Sequence, residues 1–477
     1  MVYSGMLFVF FFLALNLLSQ IILKTPKSKN IALLVFSLIF YVWGGPGHLV
    51  LMLGVVLIAW FFGLLLQVVR EEKKKKGYLA VALVLIIGLV AFFGYRNFFA
   101  EITQKLFEVP EVIPQIIMPV GIAVYSLQMI SYLVDVYRGE VKAQPKFWLL
   151  LTYASLFHLT LGGPVVRYAD IRKEILRRRT RLSDVSAGIS RFTIGLAKKT
   201  ILAESLATVA DSLLAVDVVL MENQPALGFW IGLVAYGLSL YFSLSAYADM
   251  AIGMGRLCGL KYPEHFDHPF TAYTIADFWS KWQMTLVSFF SDYLHDPLGD
   301  PEEKAWKEIL MMAGVWLLIG LWLGAGWNYI LWAAYFFILL VLETFVLWRV
   351  LDKCPWTLRR IFTLMLVLIS FVLLRCEDVS LLPAMLKGMI GLTAGGFVSK
   401  TVLMTLVNNL PILILGIIAA TPLGSKLRDV MTKKAQAGGA MMVLDSLWEA
   451  LHPVLLLILS AMAMTGPTSN PFLFFQF

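Results

Sequence analysis

Long apolar runs alternate along the chain with short polar or glycine–proline breaks. The first run covers residues 6–23, and a second ends at Gly44-Gly45-Pro46-Gly47. A third ends at Arg70, before Lys73-Lys74-Lys75-Lys76. A fourth covers about 79–93 and a fifth about 113–136, ending at Arg138. Further spans are expected at 226–247, 361–374, 401–420, and 454–465 or somewhat earlier. The stretch 309–348 is too long for one crossing, and Gly324-Ala325-Gly326 is its natural break, so two helices are expected to meet there. At roughly 20 apolar residues per crossing, about ten or eleven spans fit the chain.

Basic residues orient these spans. No cation precedes the first run, which therefore reads as an uncleaved anchor and not a signal peptide. Lys24, Lys27 and Lys29 follow it and place the N-terminus outside, with this loop inside. The alternation breaks at 147–163, an apolar segment too short to span, which closes on Gly162-Gly163-Pro164. Its downstream flank is the most basic stretch of the chain: Arg167, Arg172, Lys173, Arg177, Arg178, Arg179, Arg181, Arg191, Lys198 and Lys199. Both flanks read as cytoplasmic, which a re-entrant segment satisfies if protein or a water-filled cavity meets its backbone polar groups. Residues 167–200 have helical spacing, with Ile171, Ile175, Leu182, Val185, Ile189 and Phe192 along one side, as in helices lying on the cytoplasmic surface. No internal repeat is evident, so an inverted-repeat transporter lacks its simplest support.

Composition closes off the other classes. Of 477 residues, 59% are hydrophobic and 15% charged, and mean hydropathy is +0.79. Soluble proteins sit near about 45–50% apolar and about 25% charged. This excludes a multidomain cytosolic enzyme, a disordered chain and a secreted disulfide scaffold, and leaves an all-α polytopic membrane protein. The net charge of +8 reads as basic loops on an anionic leaflet, with no nucleic-acid partner expected. Cys258, Cys354 and Cys376 are odd in number and lack metal-ligand spacing, so neither a disulfide frame nor a metal site is expected.

Three segments carry polar chemistry. Asp277-Phe278-Trp279-Ser280-Lys281-Trp282-Gln283 mixes acid, base, amide and indoles, as at a membrane interface or a polar cavity. It runs on to Ser291-Asp292-Tyr293-Leu294-His295-Asp296-Pro297-Leu298-Gly299, where two carboxylates flank a histidine, as acid–base machinery or a capped loop would. Asp249 ends an apolar span, where a carboxylate needs a partner or water; Arg256 and the basic segments are candidate partners.

These segments resemble, in order, those of the membrane-bound O-acyltransferase (MBOAT) family, and within it the bacterial alginate O-acetylation branch. Ser126 to Glu140 is similar to the family's Q-x-I-S-Y-x-x-D-V-Y-R-G segment, and His158 to Tyr168 to its G-P-x-x-R-Y segment. Gly195 to Lys199, Tyr247 to Gly253, Pro263 to Phe266, Asp277 to Gly299, Gly320 to Trp332, Arg375 to Asp378 and Asn470 to Phe477 follow in family order. The resemblance implies one membrane-embedded domain over 1–477: peripheral N-terminal helices (1–110), a core (111–400) and C-terminal helices (401–477). The implied fold is an MBOAT-like bundle of about 11 transmembrane helices with re-entrant segments and a central funnel or tunnel. Asp249, Asp277, Trp279, Trp282, Asp292, Trp322, Trp327 and Asn328 would line the tunnel. The implied activity moves an acyl group, acetyl by analogy, from a cytoplasmic thioester toward hydroxyls of an exported polysaccharide. No tightly bound cofactor is expected. The donor would be acyl-CoA or an acyl carrier protein, the partners membrane lipid and an extracytoplasmic SGNH-like acyltransferase, and the location the bacterial plasma (inner) membrane.

One departure bears on that activity. In Gly320-Leu321-Trp322-Leu323-Gly324-Ala325-Gly326-Trp327-Asn328, the family's catalytic histidine position holds Leu323. The second family histidine, which follows a tryptophan, is replaced by Gln283 after Trp282. Imidazole accepts a proton near neutral pH; leucine cannot, and an amide does not. His158 and His295 are the candidate substitutes, ahead of His48, His265, His268 and His452. Three readings follow: an acyltransferase with a relocated base, a catalytically inactive homologue acting as scaffold or acyl or lipid conduit, and a histidine-free variant of an active enzyme.

Overall fold

The apolar runs become helices wherever they are long enough to satisfy their own backbone, the only open solution in hydrocarbon for a chain without a closed barrel. The computed structural model describes residues 2–107, 119, 121–214, 217–295, 305–351, 353–436 and 438–466. The beginning of run 113–136, the stretch from Asp296 to Gly299, and Asn470 to Phe477 lie outside these. Among the described residues the regular elements are helices only. Eight are long and apolar enough to cross a membrane: Pro46–Val68, Glu72–Gln104, Ala226–Leu257, Ala305–Leu323, Trp327–Leu347, Trp356–Arg375, Lys400–Ala419 and Ala440–Met464. Shorter apolar helices occupy Phe8–Ile22, Phe147–Leu159 and Val379–Met389. The chain is a multi-pass membrane protein.

The break expected in 309–348 falls at 324–326, between Ala305–Leu323 and Trp327–Val341. The two helices pack closely because Gly320 has no side chain. A Cβ there would lie 2.6 Å from the Ala333 Cβ and 3.0 Å from the Tyr329 carbonyl oxygen. The last span begins earlier than its hydropathy core, at Ala440. The spans differ in enclosure: 72% of the apolar window of Ala226–Leu257 is buried, against 11% in Ala440–Met464. The first is therefore the span that can carry polar groups inward.

The chain forms two compact units. One comprises Met1–Phe192 and Tyr247–Glu264, the other Thr193–Ala246 and His265–Asn470. In the first, the short segment expected at 147–163 folds as helix Phe147–Ala154 and a 3-10 turn Phe157–Leu159. Protein groups meet its backbone: the Tyr3 hydroxyl donates to the Phe157 carbonyl, Leu161 N donates to Tyr3 Oη at 3.3 Å, and Phe157 N donates to Ser37 Oγ at 3.3 Å. Phe8, Phe12, Phe40 and Phe157 pack around these bonds, with Phe12 edge-on to Phe157 at 5.2 Å. Gly163 lets the segment approach Ala226–Leu257, since a Cβ there would lie 2.9 Å from the Ala251 Cβ.

The basic region forms helices Tyr168–Leu176 and Leu182–Ala197. Its expected apolar side is only partly inward. Ile171, Ile175 and Phe192 are buried, whereas Leu182 and Ile189 are exposed. A loop at 177–181 separates the two helices and resets the face, which the continuous spacing did not anticipate.

In the second unit the core is aromatic. Trp279, Trp316, Trp332 and Phe336 meet through ring centroids 4.8–5.7 Å apart around Trp279 and Phe336, in edge-on and stacked pairs. Such rings contribute packing beyond the area they bury.

Candidate functional site

The second unit holds the segments 277–283 and 320–332. The short helix Ile275–Trp279 is fixed twice at its N-terminus. Asp277 N donates to Thr274 Oγ1 at 3.0 Å, while Tyr273 N donates to Asp277 Oδ2 at 3.0 Å. From the π-helical turn Leu342–Leu347, Glu343 accepts from Ile275 N at 2.6 Å and Ala276 N at 3.0 Å. These bonds satisfy the otherwise orphaned N–H groups of the first turn. Asp277 also pairs with Lys281 at 2.9 Å, so this expected tunnel residue is engaged in local structure.

That anchoring aims Trp279 into the aromatic core, 4.8 Å from Trp316 and 5.4 Å from Trp332. Trp282 packs against Phe278, Phe266 and Tyr241. The indole N–H groups of Trp279 and Trp332 and the amide nitrogen of Asn328 are buried with no partner among the described residues. All three atoms are hydrogen-bond donors. Leu323 ends helix Ala305–Leu323 and is half-buried, as is Trp322. Trp327 is exposed. Asp292 is half-buried in the π-helical turn Ser291–His295, and the His295 side chain lies outside the described residues.

Gln283 is buried in the left-handed region at φ 47°, where a non-glycine residue is strained. The chain holds it there by pairing its neighbours with the preceding loop: Asp267 N donates to the Lys281 carbonyl at 3.0 Å, and Met284 N to the His265 carbonyl at 2.9 Å. His265 thereby lies beside the segment that carries Gln283. Its Nδ1 is 2.7 Å from Thr285 Oγ1, and burial pushes its pKa down to about 3, so the ring is neutral. In the sequence His265 stands behind His158 and His295 as a candidate base. Its signal was present in Pro263 to Phe266, but the pairing that brings it next to Gln283 is tertiary.

Two further polar groups occupy the first unit. Asp249, at 5% exposure, finds its partner in the basic segment and not in Arg256: Arg191 Nη2 lies 2.7 Å from Asp249 Oδ1 and 2.5 Å from Glu264 Oε2. Burial opposes the Arg191 charge, but the two carboxylates outweigh it and hold its pKa above the usual value. His158 is fully buried. Its Nδ1 is 3.0 Å from Tyr262 Oη and its Nε2 3.7 Å from Cys258 Sγ. Asn16 Oδ1 lies 3.7 Å from the same sulfur, and Arg178 Nη1 donates to Gln20 Oε1 at 3.0 Å. The sequence reading placed Arg178 among surface cations, yet it is 5% exposed. One arginine within a run of arginines carries no signal of its own. Among the described residues, no cluster of His, Cys, Asp and Glu could hold a metal ion.

A model of the membrane-bound O-acyltransferase family matches residues 138–382. The probable alginate O-acetylase AlgI of Pseudomonas aeruginosa is 31% identical over 82% of this chain and 75% of its own length. The peptidoglycan O-acetyltransferase of Helicobacter pylori is 28% identical over 82% of this chain and 80% of its own. The teichoic acid D-alanyltransferase of Bacillus subtilis is 24% identical over 47% of this chain and 58% of its own.

Proposed function

Since the chain belongs to the membrane-bound O-acyltransferase family, we propose that it transfers a short acyl group, acetyl by analogy, to hydroxyls of an exported polysaccharide. The donor is a cytoplasmic thioester, acyl-CoA or an acyl carrier protein, and the last transfer is made with an extracytoplasmic SGNH-like partner. The chain sits in a bacterial plasma membrane with its N-terminus outside, in keeping with Lys24, Lys27 and Lys29 after the first apolar run. The observation that carries this reading is the 31% identity to an O-acetylase across 82% of the chain.

The proton of the acceptor hydroxyl needs a base, and neither Leu323 nor Gln283 supplies one. We assign that role to His158. In the tautomer whose Nδ1–H donates to Tyr262 Oη, its Nε2 lone pair faces Cys258 Sγ at 3.7 Å and can accept a proton.

The replacements Leu323 and Gln283 favour a second reading, a scaffold or acyl conduit without chemistry of its own. Proteoliposomes supplied with [14C]acetyl-CoA and an acceptor polysaccharide separate the two. Turnover that falls by about 10²-fold or more in His158→Ala supports transfer with a relocated base. No turnover, in the chain as it stands or in the Leu323→His/Gln283→His double variant, leaves the conduit.

A further inference from the structure

We propose that Cys258 is a nucleophile: His158 lies beside its sulfur, and the thiol carries the acyl group as a thioester between donor and acceptor. The inference rests on the acyl-transfer reading and adds a covalent step to it.

The arrangement has the parts such a step needs. The sulfur and His158 Nε2 are 3.7 Å apart, and Tyr262 Oη at 3.0 Å from Nδ1 fixes the ring. Arg178 faces the same cluster, acting electrostatically on His158, Cys258 and Tyr262. It is 5% exposed, and beyond its bond to Gln20 its Nε and Nη2 have no partner among the described residues. The Asn16 amide lies against the sulfur through Oδ1, while its Nδ2 is also unpartnered. A buried guanidinium without a carboxylate is costly at rest. It becomes favourable when negative charge develops next to it, on a sulfur or on a carbonyl oxygen under attack. Lys29 adds a second positive charge toward the thiol. The nearby acid, Glu174, is engaged by the Lys261 N–H at 3.0 Å.

The chemistry balances without a further reactant. The Cys258 S–H gives its proton to His158 Nε2 as the sulfur attacks the donor's thioester carbonyl. A new C–S bond forms, the donor's C–S bond breaks, and the departing thiolate takes the proton from His158. In the second half, the acceptor hydroxyl gives its proton to His158 Nε2 and attacks the acyl-Cys258 carbonyl. The C–S bond breaks, and the sulfur recovers the proton. Burial pushes the resting thiol up to about 11, against the pull of Arg178 and Lys29. The thiol is therefore stored protonated, and burial together with Arg178 keeps His158 neutral, so the proton moves between them only in concert with attack on the carbonyl.

The test is acid-quench labelling of the full chain in lipid nanodiscs with [14C]acetyl-CoA and no acceptor. The expected result is protein-bound label released by neutral hydroxylamine. It should be absent in Cys258→Ala, hydroxylamine-resistant and slower in Cys258→Ser, slowed at least ten-fold in His158→Gln, and unchanged in Cys354→Ala and Cys376→Ala. Thermal unfolding of each variant checks that it is folded. Label that persists in Cys258→Ala overturns the proposal, and so does unchanged acetyl transfer to polysaccharide by that variant; acyl transfer itself then stands. Absence of both label and turnover in the parent chain overturns the acyl-transfer reading together with this one.

Discussion

Met284 donates its backbone N–H to the carbonyl of His265 at 2.9 Å, fastening a buried neutral imidazole beside the strained turn at Gln283. Burial lowers the His265 pKa from 6.5 to about 3. Between those values the unfolded chain binds the proton and the folded chain does not, so stability falls as pH drops below about 6.5 and goes on falling toward 3. Thermal unfolding in detergent across this range should show that acid-side loss. In His265→Asn the slope should be shallower, with the Thr285 contact kept by the amide.

The left-handed backbone at Gln283 costs roughly 1–2 kcal/mol for a residue with a Cβ. Gln283→Gly removes that cost while adding chain entropy, so its stability should match the parent or exceed it by about 1 kcal/mol. Gln283→Val, β-branched at the same φ, should lose about 2 kcal/mol. Urea or thermal unfolding of the two variants side by side reads the difference. A Gly variant less stable than the Val variant would show that the Gln283 side chain, and not its backbone, holds the turn.

Asp249 and Arg191 form a largely buried ion pair, and removing Asp249 leaves the Arg191 guanidinium with the more exposed Glu264 alone. Asp249→Asn should cost about 2–4 kcal/mol. Arg191→Gln combined with Asp249→Asn should cost less than the sum of the single changes, and a double-mutant cycle measures the remainder. Additive losses would mean that the 2.7 Å contact contributes nothing of its own.

Glu343 reaches two N–H groups of helix Ile275–Trp279 from a distant part of the chain. Glu343→Ala should cost about 1–2 kcal/mol, as lost caps do. It should also shift Trp279 emission to longer wavelength as the helix loosens in its aromatic pocket. Glu343→Gln, which keeps one acceptor oxygen, should recover part of both effects.

The spans were legible because hydrocarbon imposes a length and a polarity that show directly in the chain. The break at 324–326 and the short, protein-supported segment around His158 were legible for the same reason: neither satisfies the spanning rule. The motif residues were legible as a set, but their tasks were not. Asp277 reads as a tunnel residue and also caps a helix; Asp249 reads as an acid in need of a partner, and of the candidates it is Arg191 of the basic segment that holds it. The Asp249 pairing depends on a partner far away in sequence, as does the bond from Glu343 to Ile275. Arg178 reads only as one of a run of cations, Cys258 as one of three unpaired cysteines and Tyr262 as nothing in particular, and only folding brings them to one histidine.

The arginine run at 177–179 alternates in space: Arg177 and Arg179 are exposed and Arg178 is buried, in a stretch with no helical backbone. Such an alternation is a matter of register. A one-residue deletion just upstream would leave a run of arginines, and the count of positive charge on that leaflet, almost untouched. It would also bring the next arginine of the run, Arg179, to the inward place, so a guanidinium would still be available to Gln20. Three consecutive arginines thus protect the inward donor against a slip of one residue in either direction.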